Sequence, residues 1–369
     1  MRIVSVVGAR PQFVKLAVIC RAFAAHSAVS HRIVHTGQHY DDAMSGAFFR
    51  DLGIPEPAVN LEVGSGTHAE QTAEIMRRLE PVLVSERPDW VLLYGDTNST
   101  MAAALTAAKL HFRIAHVEAG LRSFNRRMPE EINRIVTDHV SDLLFCPTTA
   151  GMENLRVEGL SARAVLTGDV MLDAVLANLD VAVARTPSPA YPWRAGQYAL
   201  ATIHRAENTD DLDRLEALLY ALEVIADQIC PVVLAVHPRT QKILVSSGRE
   251  LQHVSIIPPV GYPDMLLLES RARMILTDSG GVQNEAYFLR VPCVTLRDET
   301  EWVETLNNGC NIVVGADPQA VISAAQRTNS AGPWVNHYGD GKAGAQIVDA
   351  LLGGKELLAE VVGATVHHG

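Results

Sequence analysis

The stretch Arg273-Met274-Ile275-Leu276-Thr277-Asp278-Ser279-Gly280-Gly281-Val282-Gln283-Asn284-Glu285 joins an apolar run to a segment of helical character. A strand that ends in Ser-Gly-Gly at a helix start presents unpaired backbone N–H groups, and no side chain blocks an approaching anion. Ser279, Gly280 and Gly281 are therefore predicted to bind phosphate. Glu285 could accept hydrogen bonds from a ribose diol, so the stretch favours a nucleotide diphosphate. A tight turn that needs two glycines is the alternative.

The chain alternates short apolar runs with amphipathic or Ala-rich stretches, which is typical of parallel strands joined by crossover helices. The predicted strands lie at 3–7, 32–35, 90–94, 114–117, 143–146 and 164–166, and then at 198–203, 232–236, 254–257, 273–276, 293–296 and 311–314. A chain of 369 residues is long enough for two domains. The predicted fold class is therefore α/β, with two Rossmann-like doubly wound domains.

The predicted linker between the domains is the segment 180–197, where Pro187, Pro189, Pro192 and Gly196 accompany little periodicity. An N-terminal domain at 1–175 then carries most of the candidate carboxylates. A C-terminal domain at 190–345 carries the Ser-Gly-Gly stretch. Residues 346–369 are predicted to form a helix and tail that return to the first domain.

The composition is that of a globular, acidic protein, with 48% apolar residues and a formal net charge of −11. This charge argues against nucleic acid or an anionic membrane as a partner, because both need a basic face. The sequence contains no apolar run of about 18 residues, and its strand-like start does not resemble a signal peptide. The five cysteines are far apart and lie mostly in apolar runs, so reduced core residues of a cytoplasmic protein are expected.

Polar residues that directly follow the apolar runs are the candidates for a site, because an open α/β sheet binds its ligand beyond the carboxyl ends of the strands. Besides the Ser-Gly-Gly stretch, the candidates are Arg10, Lys15, Asp96, Glu118, Glu130, His204 and His237. Arg10 and Lys15 could bind phosphate, and the carboxylates could transfer protons. His204 follows a strand directly and has Arg205 and Glu207 beside it, which makes it the best histidine candidate.

Each candidate also has a structural interpretation. Asp96 could cap the following helix, and Glu130 could be a first-turn charge that the helix dipole favours. Arg122 and Arg134 could be simple surface partners. The three segments that carry Asp96, Glu118 and Glu130 nevertheless converge on one predicted sheet edge, which favours a functional site.

Sequence motifs for several other chemistries are absent from the chain. It has no HxH or HExxH spacing, so a catalytic metal is not expected. It has neither a GxSxG elbow nor a GxxxxGK[ST] loop, which argues against serine hydrolases and P-loop NTPases. The first strand is followed by one glycine rather than by the GxGxxG of a dinucleotide fold.

Taken together, the motifs resemble those of the bacterial non-hydrolysing UDP-N-acetylglucosamine 2-epimerases. They are Gly8-Ala9-Arg10-Pro11-Gln12, Thr36-Gly37-Gln38-His39, Gly95-Asp96-Thr97, His116-Val117-Glu118-Ala119-Gly120-Leu121-Arg122, Pro129-Glu130-Glu131-Ile132-Asn133-Arg134, His204-Arg205-Ala206-Glu207-Asn208 and Asp278-Ser279-Gly280-Gly281-Val282-Gln283-Asn284-Glu285. The resemblance implies the GT-B type of fold, in which two Rossmann-like domains face each other across a cleft. It also implies a UDP-sugar substrate and chemistry without NAD or metal.

The reaction implied by the resemblance is the reversible inversion of C2 that converts UDP-N-acetylglucosamine to UDP-N-acetylmannosamine. UDP is eliminated to leave 2-acetamidoglucal and is then added back on the other face. The resemblance assigns the catalytic positions to Asp96, Glu118, Glu130 and His204, and substrate or UDP binding to Arg10, Lys15, His237, Ser279, Gly280, Gly281 and Glu285. A cytoplasmic homodimer that serves surface-polysaccharide synthesis is expected.

Two departures from the family pattern bear on regulation and substrate. Many members have Gln-His-Arg-Gln after the Thr-Gly pair, whereas this chain has Gln38-His39-Tyr40-Asp41-Asp42, so activation by substrate is not expected. The stretches Ser123-Phe124-Asn125-Arg126-Arg127-Met128 and Arg297-Asp298-Glu299-Thr300-Glu301-Trp302-Val303-Glu304 also resemble epimerases of UDP-2,3-diacetamido-glucuronic acid. In that case Arg126 or Arg127 could pair with the C6 carboxylate.

Three further alternatives remain open. A hydrolysing epimerase would release N-acetylmannosamine and UDP. A GT-B glycosyltransferase would share the UDP site but need an acceptor. A sugar-nucleotide binding protein that is not an enzyme would not need Asp96, Glu118 and Glu130 together.

Overall fold

The structure is a computed structural model that describes residues 1–37, 49, 52–184, 192–327 and 332–353. The chain divides into two compact units, of which the first combines Met1–Ala174 with His337–Gly369 and the second is Val175–Asn336. Each unit contains one parallel β-sheet with helices between successive strands. This arrangement confirms the predicted α/β class with two Rossmann-like halves.

The first unit has a seven-stranded sheet in the order β3-β2-β1-β4-β5-β6-β7. Its strands are β1 (Arg2–Val7), β2 (Ser30–His35), β3 (Val59–Asn60), β4 (Trp90–Tyr94), β5 (Ile114–Val117), β6 (Leu143–Cys146) and β7 (Ala164–Leu166). The helices that begin in this part of the chain are α1 (Arg10–Ala24), α2 (His68–Glu86), α3 (Asn98–Lys109), α4 (Pro129–Val140), α5 (Thr149–Val157) and α6 (Val170–Ala184). Every strand pair is parallel, so the carboxyl ends of all seven strands lie at one edge.

The second unit repeats the scheme with six strands in the order β10-β9-β8-β11-β12-β13. The strands are β8 (Ala199–Thr202), β9 (Val232–Ala235), β10 (Val254–Ile257), β11 (Met274–Thr277), β12 (Cys293–Thr295) and β13 (Asn311–Val313). The helices are α7 (Ala206–Thr209), α8 (Leu212–Gln228), α9 (Pro238–Ser247), α10 (Tyr262–Arg271), α11 (Gly280–Phe288) and α12 (Pro318–Arg327). Short 3-10 helices occur in both units, at Ser161–Arg163 and Val303–Gly309.

The central strands are apolar because helices cover a parallel sheet on both faces. All five residues of β4 are buried, and all four residues of β8 and of β11 are buried as well. The observed strands match the predicted ones to within two residues at each end. The exception is β3, a two-residue strand that was not predicted because Val59–Asn60 is too short to show a period.

The chain returns to the first unit at His337. A further helix, α13 at residues 343–353, begins where the backbone N–H groups of Ala343 and Gly344 donate to the Asp173 carboxylate on α6, at 3.1 and 2.8 Å. Helix α6 continues to Ala184, so residues 180–184 of the predicted linker are helical. Residues 185–191 of that linker and 354–369 of the predicted tail lie outside the described residues.

All five cysteines are buried and carry free thiols, as the apolar runs around them predict. Burial raises the pKa of Cys20 and of Cys293 to about 12. Among the described helices, none combines the length and the apolar character that a membrane crossing requires.

Candidate active site

The candidate carboxylate Glu118 lies directly after β5, and its side chain forms an ion pair with Lys15 of α1. Both side chains are only 8% exposed. The backbone of Glu118 has a φ of +76°, a left-handed conformation that is costly for a residue other than glycine. The N–H groups of Glu118 and Ala119 both donate to the Phe145 carbonyl, at 3.1 and 3.0 Å. This turn therefore holds Glu118 against Lys15 at the carboxyl edge of the first sheet.

Asp96 follows β4, the strand next to β5, and forms an ion pair with Arg134 of α4. The Asn133 amide donates to the Asp96 carbonyl at 2.9 Å, which fixes the backbone of the turn. The helix-capping alternative for Asp96 is wrong, because Thr97 is the N-cap of α3. The alternative that Arg134 is a simple surface partner is also wrong, since Arg134 is 2% exposed.

Glu130 and Glu131 both stand in the first turn of α4, but the structure gives them different surroundings. The Glu131 carboxylate is buried and accepts hydrogen bonds from Ser123 N–H and Phe124 N–H, both at 2.9 Å. It also receives Arg134 Nη1 at 3.0 Å. Glu131 therefore holds the 123–128 loop in place, whereas Glu130 is partly exposed and does not share this position. The candidate for proton transfer at this helix start remains Glu130.

A buried network lies behind these two strand ends. His116 of β5 contacts the Asp138 carboxylate through Nδ1 and the Gly95 carbonyl through Nε2, each at 2.7 Å. Arg122 pairs with Asp138 at 2.8 Å and with Glu158 at 2.7 Å. Burial alone would raise the pKa of Asp138, but the His116 and Arg122 contacts outweigh it and lower the pKa. The alternative that Arg122 is a simple surface partner is wrong, because Arg122 is 3% exposed.

The start of α1 is organised by Gln12 and not by the predicted site residues alone. Gln12 Oε1 accepts from the N–H groups of Gly8 and Ala9 at 2.7 and 3.0 Å, and its amide donates to the Tyr94 carbonyl at 2.7 Å. Gln12 thereby links the end of β1 to the end of β4. Arg10 is the first residue of α1, and its side chain lies outside the described part of the structure.

One further acidic residue of the first unit was not predicted. Asp169 follows β7, is 1% exposed and accepts a hydrogen bond from Met171 N–H at 2.7 Å. Burial and the nearby negative charge of Glu118 raise the pKa of Asp169 to about 7. Its position after a strand was a usable signal, but the Thr167-Gly168-Asp169 turn has the composition of an ordinary helix start.

In the second unit the structure brings His204, His237 and Asp278 together. His204 follows β8, and its Nδ1 lies 3.0 Å from the Asp278 carboxylate, which also accepts the backbone N–H groups of His204 and Arg205. Burial would raise the pKa of Asp278, but these hydrogen bonds lower it. The rings of His204 and His237 are 5.4 Å apart between centroids. The aspartate of the Thr-Asp-Ser-Gly-Gly stretch thus orients the candidate histidine, a role that the sequence did not predict.

The Ser-Gly-Gly stretch forms the N-terminus of α11, as predicted. Ser279 is the N-cap residue, and its hydroxyl accepts from Val282 N–H at 3.4 Å. Helix geometry leaves the N–H groups of Gly280 and Gly281 without intrahelical acceptors. A Cβ at Gly280 would lie 2.8 Å from Glu301 Oε1, so a larger residue there would have to displace the Glu301 carboxylate. Glu285 lies in the same helix and is 6% exposed.

The structure therefore places the predicted site residues in two groups. The first unit carries Lys15, Asp96, Glu118 and Glu130, and the second carries His204, His237, Ser279, Gly280, Gly281 and Glu285. The sequence departs from the family pattern at Gln38-His39-Tyr40-Asp41-Asp42, and this stretch lies outside the described residues. Within the residues that the structure covers, no group of three or more His, Cys, Asp or Glu side chains is arranged to hold a metal ion.

Comparison with known proteins identifies the family. A family model described as UDP-N-acetylglucosamine 2-epimerase matches residues 21–352. A curated UDP-2,3-diacetamido-2,3-dideoxy-D-glucuronate 2-epimerase from Pseudomonas aeruginosa is 48% identical over 95% of this chain and 99% of its own length. A UDP-N-acetylglucosamine 2-epimerase from Methanocaldococcus jannaschii is 43% identical over 96% of this chain and all of its own.

Solved structures agree with the sequence relatives. The crystal structure of the Methanocaldococcus jannaschii UDP-GlcNAc 2-epimerase in complex with UDP-GlcNAc and UDP superimposes with a TM-score of 0.90, at 43% identity, and covers 95% of this chain and 99% of that one. The Neisseria meningitidis UDP-GlcNAc 2-epimerase bound to UDP-GlcNAc gives a TM-score of 0.88 at 29% identity, with 95% of this chain and 100% of that one covered. The fold and site define an α/β enzyme of two Rossmann-like units. The chain belongs to the UDP-N-acetylglucosamine 2-epimerase family and is an epimerase.

Proposed function

We propose that this epimerase reversibly inverts C2 of the N-acetylglucosamine moiety of UDP-N-acetylglucosamine, by eliminating UDP and adding it back on the other face. The observation that carries the proposal is the pair of carboxylates, Asp96 and Glu118, at neighbouring strand ends, each next to a buried cation. Inversion of a carbon that bears a weakly acidic proton needs a proton acceptor on one face and a donor on the other.

The proposed roles follow the two groups of residues. Asp96, Glu118 and Glu130 carry out proton transfer at the sugar, while Lys15 and Arg10 bind the substrate. The hydroxyl of Ser279 and the N–H groups of Gly280 and Gly281, at the positive end of the α11 dipole, bind the diphosphate. Glu285 binds the ribose.

His204, oriented by Asp278 and next to His237, is proposed to donate to the phosphate oxygen that leaves. Stabilising the negative charge that develops on departing UDP lowers the barrier to elimination.

The decisive experiment is proton NMR of the protein with UDP-N-acetylglucosamine in D2O. The expected result is the manno epimer with deuterium at C2 and UDP still attached. Asp96→Asn and Glu118→Gln should each lower turnover by at least about 100-fold, in keeping with the usual weight of acid–base catalysis. Glu153→Gln is the matched control, because Glu153 is exposed on α5 and pairs with Arg156.

Other outcomes of the same experiment point to other functions. Free N-acetylmannosamine and UDP would identify a hydrolysing epimerase. Absence of both epimer and C2 exchange would refute the proposed substrate. Transfer of the sugar from the UDP-sugar to an added acceptor, without exchange of the C2 hydrogen, would indicate a glycosyltransferase.

A second substrate, UDP-2,3-diacetamido-glucuronic acid, is favoured by two observations. The relative from Pseudomonas aeruginosa that acts on this sugar is 48% identical. In addition, the loop that Glu131 holds presents Arg126 and Arg127 on its exposed side, where a cation could meet a C6 carboxylate.

The specificity constants of the two nucleotides decide between the substrates. If the uronic acid is the substrate, Arg126→Met or Arg127→Met will lower kcat/KM for it by at least tenfold and leave that for UDP-N-acetylglucosamine within about twofold. A higher kcat/KM for UDP-N-acetylglucosamine in the unmodified enzyme would refute the uronic acid. Surface-polysaccharide supply, a homodimeric state and a cytoplasmic location stay predictions.

A further inference from the structure

The backbone of Gly95 lies between the two carboxylates at the strand ends. Gly95 directly precedes Asp96, and its N–H donates to the Val117 carbonyl at 3.0 Å, one residue before Glu118. Its φ is +60°, and a Cβ there would lie 3.4 Å from Lys15 Nζ and 3.5 Å from Glu118 Oε1. The Lys15–Glu118 ion pair therefore packs against Gly95. A shift of this residue would change the separation of Asp96 and Glu118.

His116, a fully buried residue of β5, holds the carbonyl of Gly95. Its Nε2 lies 2.7 Å from that oxygen, and its Nδ1 lies 2.7 Å from Asp138 Oδ1. Burial would raise the pKa of Asp138, but the contacts with His116 and Arg122 lower it, so this carboxylate is ionised and can only accept. A carbonyl oxygen also only accepts. Both ring nitrogens of His116 therefore carry hydrogen and donate.

The carboxylate of Asp138, on α4, also holds the turn that follows Glu118. Its Oδ2 accepts the Gly120 N–H at 3.1 Å and pairs with Arg122 Nη1 at 2.8 Å. Gly120 has a φ of +83°, and a Cβ there would lie 2.5 Å from the Gly151 carbonyl oxygen, so this turn is closely packed. Asp138 thus binds both turns. It reaches the one before Asp96 through His116 and the one after Glu118 directly.

We propose that Asp138 and His116 are positioning residues that set the separation of Asp96 and Glu118. Both are 0% exposed, so they act through the two turns and not on the substrate itself. The inference rests on the proposed function, in which Asp96 and Glu118 transfer protons at the sugar. It goes beyond that function by naming the side chains that fix the two carboxylates relative to each other. A misplacement of about 1 Å costs such a reaction on the order of 100-fold in rate.

Two amide variants of His116 separate its two contacts. The glutamine NH2 group lies near the position of Nε2, so His116→Gln keeps a donor for the Gly95 carbonyl. The asparagine NH2 group lies near the position of Nδ1, so His116→Asn keeps a donor for Asp138 only. We expect His116→Asn to lower kcat for UDP-N-acetylglucosamine at least about 100-fold and His116→Gln no more than about tenfold, with KM within about threefold in both.

A residue that merely fills the core would give a different pattern. Both His116 variants would then lose stability in urea unfolding, and the kcat of the folded fraction would not distinguish them. Equal kcat values for His116→Asn and His116→Gln would therefore overturn the inference. So would a change confined to KM, because misplaced catalytic groups lower kcat.

Asp138→Asn tests the other end of the connection. The three partners of this carboxylate all donate, so an asparagine NH2 group would face a donor in either orientation. Its kcat should fall at least about 100-fold with KM within about threefold. Ser141→Ala is the matched control, because Ser141 is buried at the end of α4 and its hydroxyl donates to the Thr137 carbonyl at 2.7 Å. An equal loss of kcat in this control would overturn the inference.

A spectroscopic test does not depend on turnover or on the folding of Asp138→Asn. In the enzyme labelled with 15N-histidine, NMR at neutral pH should show a hydrogen on both ring nitrogens of His116. The signals of His116 are identified by their loss in His116→Gln. A single ring hydrogen would overturn the inference, because one of the two contacts would then be missing. Two ring hydrogens in an enzyme that does not epimerise UDP-N-acetylglucosamine would instead refute the proposed function and leave the His116 contacts established.

Discussion

Asp169 should make the folded protein less stable as the pH rises, and asparagine at this position should remove that dependence. The pKa of Asp169 is about 7 in the folded protein, compared with 3.8 for an ordinary aspartate. The folded state therefore binds more protons than the unfolded state between these values, and stability falls as pH rises through that window. The difference between these two pKa values corresponds to a full penalty of about 4 kcal/mol above pH 7.

The measurable quantity is the change in that penalty with pH. At pH 5 the unfolded carboxylate is mostly ionised and the folded one is protonated, so the penalty is about 1.5 kcal/mol, and at pH 8 it reaches about 4 kcal/mol. The free energy of unfolding of Asp169→Asn should therefore gain about 2.5 kcal/mol relative to the unmodified protein between pH 5 and pH 8. Constant contributions of the substitution, such as altered packing, cancel in this difference.

Equilibrium urea unfolding, followed by far-UV circular dichroism at pH 5, 6.5 and 8, measures this difference in the free energy of unfolding. Asp227→Asn serves as the control, because Asp227 is exposed on α8 and the substitution makes the same change of charge. A gap between Asp169→Asn and the unmodified protein that is the same at pH 5 and pH 8 would refute the reasoning. It would mean that Asp169 is ionised in the folded state at both pH values.

Three more predictions concern the other parts of the site. Glu130→Gln should lower kcat without changing urea unfolding, whereas Glu131→Gln should destabilise the protein by about 1–3 kcal/mol because a buried hydrogen-bonded charge is lost; the reverse pattern would exchange their roles. Asp278→Asn should lower kcat by a larger factor than it weakens UDP binding, measured by calorimetry. The reason is that the asparagine NH2 group would face the backbone N–H groups of His204 and Arg205, which need an acceptor. Equal losses of kcat and of UDP affinity would contradict a role in orienting His204. The thiols of Cys20 and Cys293 should react with a disulfide reagent at neutral pH only after unfolding, because burial raises their pKa to about 12, and rapid labelling of the native protein would contradict this.

The fold was largely predictable because its signal is local. Strands such as β4 and β11 are buried on both faces, so each is a continuous apolar run, and the residue after each run marks the carboxyl edge of the sheet. The prediction failed where the local signal is weak. Strand β3 has two residues, and the end of α6 lies inside a segment that had been interpreted as a linker because prolines follow it.

The candidate site was predictable only in part. Asp96 and Glu118 are candidates because each directly follows a predicted strand, and that position can be recognised without any knowledge of the neighbouring side chains. A surface position was one alternative for Arg122 and Arg134, because arginine is usually exposed. Each is instead buried beside an acidic partner, which is Glu158 directly after α5 for Arg122 and Asp96 before α3 for Arg134. Such pairs are separated by more than thirty positions in the chain, and the sequence carries no local trace of them.

The choice between adjacent acids shows most clearly what the structure adds. Consecutive residues of a helix point about 100° apart, so the Pro-Glu-Glu start of α4 guarantees that its two carboxylates have different surroundings, but not which carboxylate has which. The difference comes from Arg134, which stands one turn after Glu131 and pairs with it, and from the 123–128 loop that folds over the same face. Because Arg134 also pairs with Asp96, the carboxylates of Glu131 and Asp96 share one cation. Asp96 is a proposed catalytic group and Glu131 is its buried neighbour, so Glu131 acts on the site through the position of Arg134, which it holds beside Asp96.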